Sequence, residues 1–259
     1  MTERLVILKG LDMRTITILA ELLLLTSFVS AQTADEIIKK AEEAIKGETA
    51  HGTIKMTIVT PDFTRDLVME SWWEGNDKAL IVVKEPRREA GNKTLKIGNE
   101  MWNYLKNTET TIKIPPSMML QSWNGSDFTN DDLVRESNLN RDYDLNVVAE
   151  EDINGEKCWK IELDPKPNAP VVWGKLYYWI RQKDYLPSVE QYFDEKGNMI
   201  RYMVFSNIKT FGKHTMPSKW TMYDNIHKGE YTSIELLNME LDIKINDRIF
   251  SFQELERGN

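Results

Sequence analysis

The chain has 259 residues, 41% of them hydrophobic and 29% charged, with a formal net charge of −8. That composition is globular, excludes a disordered chain, and fills one large domain or two small ones. The acidic balance argues against nucleic acid, whose phosphates the average surface field would repel. The short basic run at Lys84, Arg87 and Arg88 reads as a solvated turn.

Residues 1–31 read as a secretory signal peptide. Arg4, Lys9 and Arg14 give a basic lead, Ile16 to Val29 a short apolar run, and Val29-Ser30-Ala31 a small-residue cut site after Ala31. The run is short for a bilayer span, and no stop-transfer pattern follows. Glu21 is a blemish that a cleaved segment tolerates, and Met13 is an alternative start, because residues 13–31 form a complete signal. Cys158 is the lone cysteine, so neither an intramolecular disulfide framework nor a lipidated cysteine at the cut is expected. Cleavage removes three basic and three acidic residues and leaves the charge at −8. The expected product is an acidic protein exported to the periplasm, with residues 32–259 as one domain.

A helix opens that domain. Thr33 with Glu36 forms a capping box, Ile37, Ile38, Ala41, Ala44 and Ile45 share a face, and Gly47 ends it. Strands follow. Ile54, Met56 and Ile58 alternate with Thr53, Lys55 and Thr57; Phe63, Leu67, Met69 and Trp73 alternate with Asp66, Glu70 and Glu74. A period of two marks half-buried antiparallel strands. "KALIVVKEP", "KTLKIGN", "MWNYLK" and "TTIKIPP" continue the pattern. A hairpin turns at Asn154-Gly155, with Trp159, Ile161 and Leu163 on one face of its second strand. Further strands run to the C-terminal region without a linker or repeat. The expected architecture is mainly β with a few helices, a long curved antiparallel sheet. Its 8 Trp, 9 Tyr, 8 Phe and 12 Met suit an ordinary core and also an adaptable apolar cavity.

Motifs for chemistry are missing. The sequence holds no P-loop, G-x-S-x-G, H-E-x-x-H or Cys-x-x-Cys, so no enzyme, cofactor or metal site is expected. His51, His214 and His227 lack ligand spacing, although His214 and His227 can meet if their strands are neighbours. Glu150 and Glu151 are adjacent on a strand and point to opposite faces.

The densest polar stretch, "QSWNGSDFTNDDLVRES" from Gln121 to Ser137, fails as a calcium loop. Counted from Asp127, the sixth position is Asp132 where glycine is needed, and the twelfth is Asn138 where glutamate is needed. It reads instead as a helix start, capped by Thr129 and Asp132. With the preceding "PPSMML" it forms an insertion suited to cover the sheet.

"SWNGSDFTNDDL", "IPPSMM", the long run from Tyr185 to Met222 and "DRIFSFQEL" together resemble the bacterial outer-membrane lipoprotein-sorting-like family, relatives of the Lol-type periplasmic carriers. The resemblance implies an unclosed β-barrel whose concave face is covered by helices and a lid segment. It further implies a carrier that shields acyl chains of lipids or lipoproteins, with transient membrane contact and an RND-type inner-membrane transporter as a partner. The competing reading is an accessory module of such a transporter or of an envelope complex, without a stably bound lipid. Strand parity and size select Met56, Leu67, Met69, Trp73, Trp102, Tyr104 and Trp159 as cavity residues. Met118, Met119, Leu120, Trp123 and Phe128 are selected as the lid.

Overall fold

A computed structural model describes residues 32–45, 47–135, 139–169 and 171–257. The signal peptide expected over residues 1–31, with its cut after Ala31, lies outside the described residues. From Thr33 onward the chain forms one compact unit. Its first element is helix α1 (Ala34–Ile45). The capping box is reciprocal: the Glu36 N–H donates to Thr33 Oγ1 at 3.2 Å, and the Thr33 N–H to Glu36 Oε2 at 3.3 Å. Ile37, Ile38 and Ala41 are fully buried on its inner face.

Among the described residues, thirteen strands form one antiparallel sheet. The first six are β1 (Thr49–Val59), β2 (Thr64–Glu74), β3 (Lys78–Glu85), β4 (Lys93–Ile97), β5 (Glu100–Leu105) and β6 (Thr110–Lys113). The other seven are β7 (Tyr143–Ile153), β8 (Glu156–Pro165), β9 (Lys175–Arg181), β10 (Pro187–Phe193), β11 (Met199–Phe211), β12 (His214–Asp224) and β13 (Tyr231–Leu241). Their spatial order is β6-β5-β4-β3-β2-β1-β13-β12-β11-β10-β9-β8-β7. Two meanders are thus zipped together where β1 pairs β13, and the sheet stays open between β6 and β7, giving an unclosed half-barrel. Tight turns make the meanders possible. Asn154 and Gly155 adopt φ of 56° and 84°, the two left-handed positions of the turn between β7 and β8.

The insertion joins the two edges of the sheet and packs across it. β6 and β7 are the two edges, and the described residues between them, 114–135 and 139–142, pack across one face. They traverse the concave one. This lid contains a 3-10 turn (Pro116–Met118), helix α2 (Asn130–Arg135) and helix α3 (Leu139–Asp142). Its Trp123 packs into one core cluster with Ile54, Met56, Leu67 and Met69 of β1 and β2. On the other half of the same face, α1 packs with Ile161, Tyr178, Ile180, Phe205 and Met222.

The convex face is partly covered too. A 3-10 turn (Asp247–Phe250) and helix α4 (Phe252–Glu256) fold back so that Phe250 and Leu255 bury Leu80, Val82, Leu95 and Tyr104. Lys93 Nζ ties this segment down, donating to the Glu254 and Arg257 carbonyls at 2.7 Å each. Burial pushes its pKa below the ordinary lysine value. One parity expectation fails at a strand end: Phe63 precedes β2 in a turn and is 51% exposed.

Candidate functional site

The concave face holds a cavity of about 200 Å³ between the end of α1 and the lid. Its floor follows from strand register. Trp73 of β2 faces Ala50 on β1 and Ala79 on β3, and Ser71 faces Gly52. Small side chains around one large one leave unfilled volume, which the lid roofs over. The walls are Ile45 of α1, Ile54, Ile81, Trp220, Ile234 and Leu236 of the sheet, and Trp123, Phe128 and Leu133 of the lid. Ser71, Asn76, Lys78, Lys96 and Asp132 are the polar residues in the lining.

Among the described residues, four polar anchors from the sheet hold the lid down, one of them Arg65 of β2, whose Nη1 donates to the Asn124 carbonyl at 3.1 Å. Trp123 Nε1 donates to Thr94 Oγ1 of β4 at 3.2 Å. The Thr232 hydroxyl of β13 accepts from the Asp127 N–H at 3.0 Å and donates to Asp127 Oδ2 at 2.6 Å. Burial raises the Asp127 pKa above its ordinary value, and the Thr232 bond opposes that shift. The strongest anchor is Arg201 of β11, which donates from Nη1 to Asp132 Oδ2 at 2.8 Å and to the Asp127 carbonyl at 3.1 Å, and from Nη2 to Asp132 Oδ1. Its guanidinium lies 4.4 Å from the Tyr192 ring centre and 4.6 Å from that of Trp173.

The lid's local structure follows from its sequence. Asn124 and Gly125 take φ of 53° and 72°, and the Ser126 N–H bonds back to the Trp123 carbonyl at 3.0 Å. That tight reversal aims Trp123 and Phe128 at the sheet. The Asp132 N–H donates to Thr129 Oγ1 at 3.2 Å and the Thr129 N–H to Asp132 Oδ2 at 2.7 Å. The expected capping box is present, and its carboxylate also serves Arg201.

The structure divides the sequence-selected residues among several places. Trp73, Trp123 and Phe128 line the cavity. Met56, Leu67 and Met69 lie on the same face, fully buried in the core beside it. Trp159 is on the concave face but packs on Tyr185 near α1, with ring centres 5.5 Å apart, away from the cavity lining. Trp102 and Tyr104 are a correction: they face the convex side, where Trp102 meets Phe252 edge-on at 5.0 Å. On β5 the inward residue is Met101, which packs with Met118, Met119 and Val134 of the lid. Leu120 is a second correction, 55% exposed and turned from the sheet.

Sequence reasoning missed Lys96, Arg201, Trp220, Ile234 and Leu236. The apolar three carry a signal, since parity along β12 and β13 places them inward. The charged two carry none in a single strand. His214 opens β12 and His227 follows its far end, so they do not meet; each pairs with an aspartate, Asp242 at 2.7 Å and Asp224 at 2.8 Å. Among the described residues no cluster of His, Cys, Asp or Glu is arranged to hold a metal. Cys158 is fully buried, and burial raises its thiol pKa.

Three solved structures share this fold. A DUF1329 family protein from Desulfovibrio piger is 20% identical with a TM-score of 0.79, covering 86% of this chain and 97% of its own. An outer membrane lipoprotein-sorting protein domain from Vibrio parahaemolyticus is 20% identical with a TM-score of 0.77, covering 86% and 98%. A LolA superfamily protein from Nitrosomonas europaea is 22% identical with a TM-score of 0.73, covering 87% and 100%. No curated protein matches the chain. A family model described only as that of an uncharacterized protein matches residues 75–257. The chain belongs to that DUF1329-like family, within the outer-membrane lipoprotein-sorting-like fold that its sequence resembles.

Proposed function

We propose that this protein is a non-enzymatic periplasmic carrier that shields acyl chains of lipids or lipoproteins in the cavity under its lid. The observation that carries the reading is the cavity itself: about 200 Å³ of mostly apolar space, roofed by a segment that hydrogen bonds hold to the sheet. An apolar cavity of ~150 Å³ binds benzene, so the apolar part of this one has room for a short alkyl segment. Burial contributes ~0.8 kcal/mol per methylene, so about six methylenes supply ~5 kcal/mol. Displacing the lid would lengthen the groove. The fold shared with lipoprotein-sorting domains supports the reading by analogy.

Export follows from the N-terminal pattern, with cleavage after Ala31 and the mature chain moving between membranes. An RND-type inner-membrane transporter is the partner this reading calls for. The test is native mass spectrometry with lipid extraction of protein purified from its own host. Bound acyl species are the expected result. A chain that carries no lipid and co-purifies in a stable protein complex would refute the carrier reading.

A further inference from the structure

We propose that the free edge of β7 receives an extended segment of another protein as an added strand, and that this segment carries lysine or arginine around an apolar middle. The inference concerns the sheet edge and does not depend on what the cavity holds. β8 occupies one side of β7, and among the described residues no strand pairs with the other. Its 11 residues make an edge of about 36 Å.

The two ends of the sheet differ. β6 has four residues, Lys113 on it is exposed, and its Thr111 hydroxyl donates to Glu256 of the C-terminal helix at 2.8 Å. Shortness, a lysine and a covering segment are devices that keep an edge from pairing. β7 has no proline, lysine or arginine, and Val147 and Val148 at its middle are 41% and 47% exposed. A register shift against β8 falls at Val148 without ending the strand, since pairing resumes at Ala149.

Charge decides the occupant. Asp144 lies on one side of the valines and Glu150, Glu151 and Asp152 on the other. A second copy fits badly. Any two-fold antiparallel pairing that sets the valines of two copies side by side places Asp144 opposite Glu150, Glu151 or Asp152, and like charges directly opposite are destabilising. A basic segment turns each of those repulsions into an opposite-charge pair, while main-chain bonds along the edge supply affinity. The acids that bar self-association thus select a basic strand.

The experiment titrates three eleven-residue peptides into the exported protein. The first has valines at its centre and lysines toward both ends, the second has glutamates for the lysines, and the third is the lysine peptide N-methylated at its central amides. At low salt the lysine peptide is expected to bind at least about tenfold tighter than either control. It should also slow amide hydrogen exchange along β7 and leave β6 unchanged. Asp144→Lys combined with Glu150→Lys, two exposed positions, should abolish the preference for lysine over glutamate. Equal binding of the lysine and N-methylated peptides to the wild type overturns strand addition. Equal binding of the lysine and glutamate peptides overturns the basic partner, whether or not the double variant folds. Binding by none of the three refutes the site. Dimerisation of the wild type with slowed exchange along β7 in the absence of peptide makes a second copy the occupant, and that result also overturns the proposal.

Discussion

Asp132→Asn tests whether the lid is latched or merely capped. The substitution keeps the shape of the side chain, and an amide oxygen can still accept from the Thr129 N–H, so the cap survives in part. What disappears is the charge opposite Arg201. The two side chains are 11% and 7% exposed, so the discount that applies to surface ion pairs is small here. Removing one partner of a buried pair typically costs about 3–5 kcal/mol, because the other charge is left uncompensated. Loss of a cap alone costs about 1 kcal/mol. We expect Asp132→Asn near the lower end, about 3 kcal/mol, a fall of roughly 6–12 °C in Tm for a domain of this size. Urea unfolding followed by tryptophan fluorescence measures it. Arg201→Met keeps an aliphatic stem between Trp173 and Tyr192 and removes the guanidinium. The double variant should therefore lose less than the sum of the singles, with a coupling of about 2 kcal/mol. A single-variant cost below about 1 kcal/mol, or additivity within about 0.5 kcal/mol, would refute the latch.

Asp127 gives a pH-dependent prediction. Its folded pKa is raised by burial, so its favourable contribution is complete below the unfolded value of about 3.9 and is lost as pH rises through the folded value. Asp127→Asn keeps an acceptor for Thr232 without the buried charge; it should raise Tm at pH 8, and the gain should vanish by about pH 3. Equal Tm differences at both pH values would remove the burial argument. In a fluorescent fatty-acid uptake assay, Trp73→Asp should abolish uptake in a folded protein. Trp102→Ala should leave uptake intact while lowering stability by about 2–3 kcal/mol, because that ring packs on the convex face; lost uptake there would contradict the assignment of faces. N-terminal sequencing of exported protein should begin at Gln32, and retention of residues 1–31 would remove the signal-peptide reading.

The sequence by itself determined the local chemistry. The capping boxes at Thr33 and Thr129, the Asn154-Gly155 reversal and the alternation of β1 and β2 each need only a few neighbouring residues, and all stand in the structure. Parity also sorts each strand into two faces. Which face is the inner one is a tertiary decision. In β4, Leu95 and Ile97 point to the convex side under the C-terminal segment, while Thr94 and Lys96 point inward. β4 is covered on both sides, so its apolar alternation marks the outer face, and the same inversion carries Trp102 and Tyr104 outward on β5. The cavity was illegible for a related reason. It arises from small residues, Ala50, Gly52, Ser71 and Ala79, which register brings around Trp73 from three strands. The latch joins Asp132 to Arg201 across 69 positions. Their union depends on a sheet whose two edges are β6 and β7, with the segment that joins those edges packed on the concave face beside β11.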